Sequence, residues 1–342
     1  MGVNIGSVVS RHEIGFGDLK HKIVGVDAYN ALYQFLSSIR GYDGSYLMDE
    51  KGNVTSHLQG LFNRTLNLMS KGVKLVYVFD GEPPKLKFSE NEFRKERKAI
   101  AEAKFVEASD DDNLDEMYKY SKQFMKLTKN MVEESKKLIS AMGLPVVQAP
   151  SEAEGQVAYL CREGLVDYSA SQDYDSLLFG APRLVRNLTL SQKRRIRGGK
   201  TVFTFLELVK LDEVLKELQL NQEQLIALGI LCGTDFNVGG VKGFGPKKAL
   251  KLVKEYKNFE QFDKMFNNLN VEFKWNDVYD IFVNLPVTKN VKLRWDEVNN
   301  EKVKKVLVKD HDFNEERVQS SLDKYRKENK NSNQKGLGEF FN

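Results

Sequence analysis

The sequence predicts an α/β fold, a mostly parallel central sheet flanked by helices, and three observations carry that prediction. Short apolar, β-branched runs alternate with amphipathic segments as far as about Phe205, the rhythm of strands joined by crossover helices. Several of these runs stop abruptly at an acid, and beyond Phe205 the texture becomes helical. With 342 residues, 41% apolar and 11% aromatic, the chain has material for one large core or two modest ones.

In chain order, Ile23-Val24-Gly25-Val26 reads as a buried strand that delivers Asp27. Leu75 to Phe79 does the same for Asp80, and Gly81-Glu82-Pro83-Pro84 ends it. Residues 84–142 form a highly charged insertion whose periodic parts read as exposed helices, with six acids between Glu107 and Glu116. Placed between two acid-bearing strands, it is expected to project from the mouth of a site as a substrate clamp; a mobile surface excursion is the plainer alternative. Leu144-Pro145-Val146-Val147 precedes Glu152 and Glu154, Tyr168 to Ser171 precedes Asp173 and Asp175, and Asp235 follows another apolar run.

Ligands of an open parallel sheet bind outside the carboxyl ends of its strands, so these acids are expected to converge on one crevice. Each has a plainer reading. Ser151-Glu152-Ala153-Glu154 fits a capping box with Ser151 as N-cap, and Asp175 fits the cap of a helix starting at Ser176. Repetition decides against it, because capping does not predict successive strands each ending in an acid, with two pairs spaced i, i+2. Seven carboxylates in one crevice cannot all stay ionised without cations. No His or Cys cluster offers a softer site, so the expected ions are hard ones, Mg²⁺ or Mn²⁺.

Net charge is only +4, but the basic residues are grouped. Lys85 to Lys104 carries seven basic residues against four acids; Lys193, Arg194, Arg195, Arg197 and Lys200 form a second group; Lys242 to Lys257 has six lysines and one glutamate. Each alone is compatible with a solvated face, but three such stretches around a carboxylate site predict a polyanion whose phosphate the metals attack. Within the third, Gly243-Phe244-Gly245-Pro246-Lys247-Lys248 reads as a tight turn entering a helix. Glycines let backbone N–H groups approach a phosphate, and Lys247 and Lys248 add charge, so this hairpin is expected to grip one strand of duplex DNA without reading bases. A simple helix–turn–helix connection is its alternative.

Cys161 and Cys232 are far apart, and nothing near them suggests a metal or redox pair. With neither a membrane-length apolar span nor a signal peptide, the chain is expected to be soluble and intracellular, in cytoplasm or nucleoid if prokaryotic, with no membrane partner. Lys324 to Ser332 reads as a polar, unstructured linker, so a flexible tail over 324–342 follows a single domain over 1–323. The tail ends in Phe340-Phe341, and exposed aromatics beyond a polar linker call for a partner's pocket.

With these residues in view, the chain resembles the structure-specific 5′ nucleases, and within them the flap endonucleases of archaeal type. The resemblance covers nearly the whole length. It rests on Val26-Asp27-Ala28, Tyr77-Val78-Phe79-Asp80-Gly81-Glu82-Pro83-Pro84, Ala149-Pro150-Ser151-Glu152-Ala153-Glu154, Ser171-Gln172-Asp173-Tyr174-Asp175-Ser176, Gly233-Thr234-Asp235 and Gly243-Phe244-Gly245-Pro246-Lys247. It implies a PIN-like nuclease fold, two divalent metals held by the seven acids, and a helical arch built from the insertion. It further implies a helix–two-turn–helix over 221–260 that holds duplex DNA beside a monovalent cation such as K⁺. By the same resemblance Tyr33 stacks on a base near the scissile phosphate, Lys87 and Arg94 steer and stabilise that phosphate, and Gly2 lies near the site once Met1 is removed. Gln334, Leu337, Phe340 and Phe341 match a sliding-clamp-binding motif.

The activity so implied is two-metal hydrolysis of DNA at 5′ flaps, endonucleolytic and 5′ to 3′ exonucleolytic, in replication and repair, by a chain monomeric when alone. A bubble-cutting excision-repair nuclease would carry a longer spacer between Asp80 and Glu152, and a processive 5′ exonuclease a longer tail. A small RNA-cleaving nuclease would need neither hairpin nor clamp motif. A non-catalytic clamp adaptor gains nothing from seven acids facing phosphate.

Overall fold

A computed structural model of the protein describes residues 2–41, 44–87, 100, 126–190, 193–195 and 201–338. Its centre is a seven-stranded sheet in the order β1-β9-β6-β5-β2-β3-β4. β2 (Ile23–Asp27), β3 (Lys74–Phe79), β4 (Val146–Gln148), β5 (Tyr168–Ala170) and β6 (Arg183–Arg186) are mutually parallel. β9 (Leu206–Lys210) and β1 (His12–Ile14) close one edge in antiparallel fashion, and β7 (Lys193–Arg195) with β8 (Thr201–Phe203) forms a separate hairpin. β2 pairs with β3 on one side and β5 on the other, with Val26 opposite both Tyr77 and Ala170. The strand order reverses there, so the topology opens a crevice at the carboxyl ends of β2 and β5.

Alternation along β3 shows how the sheet holds two layers apart. Leu75, Tyr77 and Phe79 face a core built with α1 (Ala28–Ser38), α2 (Ser56–Ser70) and α3 (Lys129–Ala141), whereas Val76 and Val78 face Val157 and Leu160 of α4 (Ala153–Arg162). All five strand residues are essentially inaccessible, and burying each such side chain stabilises by roughly 1.5–3 kcal/mol. A third cluster gathers α5 (Asp175–Leu178), α6 (Leu211–Leu218), α7 (Gln222–Cys232), α8 (Pro246–Val253), α9 (Phe259–Asn268) and α10 (Trp275–Asn284). Local signals set several of these starts: Asn221 caps α7 with Gln224 reaching back, Asn258 caps α9, and Pro246 opens α8. Short α11 (Asn300–Lys304) then leads to α12 (Glu315–Gly338), whose Val318 and Leu322 are buried in the first cluster.

Three expectations are corrected. The α/β alternation runs past Phe205, because Leu206–Lys210 forms β9. The insertion closes before residue 142: α3 is a core helix, with Met131, Val132, Leu138 and Ile139 buried, and its charged outer face hid that stripe. Lys324 to Ser332 is not an unstructured linker, since α12 continues through it to Gly338. Lys, Arg and Glu are strong helix formers, Lys324 and Glu328 pair at 3.9 Å one turn apart, and Val318 and Leu322 anchor the first turns. Most of the expected arch, Arg94 included, lies outside the described residues, as do Phe340, Phe341 and the side chains of Gln334 and Leu337. Both cysteines are free, and no helix among the described residues is long and apolar enough to cross a membrane.

Candidate active site

Asp27 is the last residue of β2 and the N-cap of α1, its Oδ1 accepting the Asn30 backbone N–H at 2.9 Å. Asp80 follows β3, and its Oδ1 accepts the Ala153 N–H at 2.6 Å, capping α4 from another strand. The capping box read at Ser151 is therefore not the one built. Glu152 occupies the N-cap position without a side-chain cap bond, and Glu154 Oε1 instead accepts the Ser171 hydroxyl at 2.6 Å. Nor does Asp175 cap a helix starting at Ser176. It is the first residue of α5, and its Oδ1 accepts the Val3 N–H at 2.7 Å.

The N-terminal segment thus threads into the acid cluster. Gly2 N–H donates to Asp173 Oδ1 at 3.2 Å, and a Cβ added at Gly2 would lie 2.4 Å from Asp173 Cβ and 2.7 Å from Asp175 Oδ2, which only glycine avoids. Asp173 Oδ2 accepts Asn30 Nδ2 at 3.0 Å. Asp235 reaches the cluster from the turn after α7, and Lys87 joins it to Glu152: the ammonium lies 2.6 Å from Glu152 Oε2 and 3.9 Å from Asp235 Oδ2. Asn30 and Ser171 were not anticipated from the sequence. Their signal was faint, a polar residue in the first helical turn after Asp27 and a serine just before Gln172-Asp173.

Crowded, buried carboxylates resist ionisation. Burial, then the charge of Asp80, pushes Asp27 well above the ordinary range. Asp80 rises to about 6 through burial and Glu152, and Asp175 to about 7 through burial and Asp235. Glu154 is raised well above its usual value by burial and then Asp175. Burial opposes the Lys87 charge, but Glu152, Asp80 and Asp235 outweigh it and leave its pKa raised.

The donor set fits hard divalent cations. Its donors are all carboxylate oxygens, and in Asp27, Asp80, Glu154 and Asp175 only one oxygen takes a hydrogen bond among the described residues. Each keeps a second oxygen for a ligand. The Lys87 ammonium already stands where positive charge is needed, between Glu152 and Asp235. Among the described residues no three of these groups yet surround one point as a finished metal cage, so the acids are gathered rather than closed.

Tyr33 is half-buried on α1, one turn beyond Asn30 and on the same helical face. Gly243 adopts φ +83°, Gly245 is the N-cap of α8 with open space where a Cβ would stand, and Lys247 and Lys248 are exposed beside it. The hairpin is joined to the acids by its own backbone. A Cβ on Gly240 would lie 2.4 Å from Gly233 N, and Asn237 locks the turn through the Thr234 hydroxyl at 2.7 Å and the Ile230 carbonyl at 2.7 Å.

The XPG N-terminal domain pattern matches residues 6–101 and the XPG I-region pattern residues 143–235. With the acid-lined crevice, they define a nuclease of a family that acts with metal ions. Flap endonuclease 1 of Pyrococcus furiosus is 49% identical over 347 residues, covering 100% of this chain and 99% of the relative. The solved flap endonuclease-1 from Methanococcus jannaschii superposes with TM-score 0.76 at 40% identity, over 97% of this chain and 100% of that one. The chain belongs to the flap endonuclease family. The catalytic core of Rad2 in complex with DNA substrate, 24% identical over 94% of this chain and 97% of its own, shares the fold at TM-score 0.69.

Proposed function

We propose that the protein hydrolyses DNA phosphodiesters where a 5′ single strand leaves a duplex, with Asp27, Asp80, Glu152, Glu154, Asp173, Asp175 and Asp235 holding two Mg²⁺ ions, for which Mn²⁺ substitutes. The observation that carries this reading is the set of acids from separate elements, four of them keeping an oxygen for a ligand beside one partly buried ammonium. When bound, such ions would lower the pKa of the attacking water and neutralise charge on the leaving oxygen. Asp27, Asp80, Glu152 and Glu154 serve mainly one ion, and Asp173, Asp175 and Asp235 mainly the other.

This chain's own groups complete the site. Lys87 turns from Glu152 to the scissile phosphate and, with Arg94, stabilises the charge that develops there. Gly2 packs beneath Asp173 and Asp175. Tyr33 offers its ring to a base beside that phosphate, and Gly243, Gly245, Lys247 and Lys248 hold the duplex backbone, with K⁺ as the cation of that turn. Selectivity is then a matter of shape: the hairpin takes duplex and the insertion over 84–128 admits a free 5′ strand. The test is product mapping with Mg²⁺ on matched 5′-flap, bubble, nicked-duplex and single-stranded RNA substrates. Preferred cleavage at the flap junction is expected, and equal cleavage of the bubble or RNA would overturn it.

The C-terminal residues Gln334, Leu337, Phe340 and Phe341 are assigned to a sliding clamp, with the two phenylalanines filling an apolar pocket. Because α12 runs to Gly338, the motif is delivered by a helix. Calorimetric titration with the clamp should lose its heat when Phe340→Ala and Phe341→Ala are combined, while basal flap cleavage persists. Retained clamp binding would refute the assignment.

A further inference from the structure

The peptide of Gln172 is held from both sides. Its N–H donates to Asn30 Oδ1 at 3.4 Å, and its carbonyl accepts from Arg186 Nε at 3.1 Å. Asn30 stands in the first turn after β2 and Arg186 ends β6, so the two side chains reach in from opposite flanks of β5. Each also grips a residue beyond Gln172. Asn30 Nδ2 donates to Asp173 Oδ2 at 3.0 Å, Arg186 Nη1 donates to the Tyr174 hydroxyl at 2.8 Å, and the guanidinium lies 4.3 Å over the Tyr174 ring. Arg186 is itself fixed by Glu207 Oε2 at 2.6 Å, its register partner on β9.

We propose that Asn30 and Arg186 are positioning residues that hold Asp173 and Asp175 in the orientation needed to bind a divalent cation. The inference rests on the ligand roles proposed above for those two acids. Residues 171–174 form an irregular turn between β5 and α5, so no ladder of backbone bonds fixes the direction in which Asp173 points. Pinning the Gln172 peptide at both its N–H and its carbonyl removes that freedom on one side of Asp173. Pinning the Tyr174 ring removes it on the other and sets where α5, and therefore Asp175, begins. Partners of this kind, which orient ligating carboxylates without touching the ion, typically contribute about 10- to 100-fold to metal affinity.

The experiment measures Mn²⁺ binding to the DNA-free protein by electron paramagnetic resonance, with a thermal melt of each variant and flap affinity measured without divalent metal. Asn30→Ala and Arg186→Lys should each weaken Mn²⁺ binding by about 10-fold or more, with flap affinity unchanged. Asn30→Ala leaves the α1 cap in place, because Asp27 accepts the backbone N–H of residue 30; should Arg186→Lys melt early, Asn30→Ala alone decides. Glu207→Gln keeps both Arg186 bonds to the turn and should bind Mn²⁺ as the unmodified protein does. Should Asn30→Ala bind Mn²⁺ normally while Asp173→Asn does not, the positioning role is wrong and the ligand assignment stands. Normal binding by Asp173→Asn would remove the ligand assignment and this inference with it.

Discussion

Lys87 Nζ lies 2.6 Å from Glu152 Oε2, so the cation assigned to the substrate phosphate is parked on a carboxylate assigned to metal. Only 17% of its side chain is exposed, and Asp235 stands at 3.9 Å on its other side. Replacing Lys87 by Ala is therefore expected to slow single-turnover cleavage by about 100- to 1,000-fold, as loss of one charge-stabilising transition-state contact does. Flap affinity should change little. An unchanged saturated rate in rapid-quench measurements would refute the role.

Asp80 has two tasks that substitution can separate. Asp80→Asn keeps an oxygen for the Ala153 N–H but surrenders the charge, so it should lose cleavage while melting near the unmodified protein. Asp80→Ala loses cleavage as well and also uncaps α4, at about 1 kcal/mol. If both variants melt alike in calorimetry, the cap contributes nothing.

A pH effect is expected away from the acids. Burial alone would raise the Asp49 carboxyl, but hydrogen bonds from Asn53, His311 and the Lys51 N–H hold it down at about 2. Its folded pKa lies below the ordinary aspartate value of 3.8, so its contribution to stability is complete above that pH and disappears as pH falls from about 4 to about 2. Asp49→Asn should flatten this part of the acid limb in denaturant titrations. An unchanged slope between pH 4 and 2 would show that the hydrogen bonds from Asn53, His311 and Lys51 to this carboxyl carry no linkage.

At the hairpin, Lys247→Ala and Lys248→Ala should each weaken duplex binding and lower its logarithmic salt slope by about one. Single-turnover rates at saturating enzyme should hold. Salt-titrated anisotropy checks the first outcome and rapid quench the second; an unaltered slope would remove these lysines from the interface.

The parts of this protein legible in its sequence are those written in consecutive residues. An apolar run cut off at Asp27 or Asp80 declares both a strand and an acid at its carboxyl end, and Gly243 to Pro246 declares a turn entering a helix. What stayed hidden depends on distant residues becoming neighbours. Ala153 is capped by Asp80, 73 positions away, so the nearby Ser151 looked like the cap. Asn30 meets Gln172 across 142 positions, and no local spacing signals it. Helix α3 did carry its apolar stripe in sequence, but the lysines and glutamates between Met131 and Ile139 made it look solvated. Lys324 to Ser332 hides its helix for the opposite reason: its polarity reads as absence of structure, although Lys, Arg and Glu propagate a helix once Leu322 has anchored it.

The contact between Gly233 and Gly240 joins two turns backbone to backbone, one leading to Asp235 and the other to the Gly243 hairpin. No side chain intervenes, so neither turn can slide against the other. On the reading proposed above, this makes the pair a ruler: the number of nucleotides between the held duplex and the broken bond is a property of main-chain geometry. A methyl group at either glycine would loosen the gauge before it abolished the chemistry, and its signature would be a blurred ladder of product lengths in place of a single band.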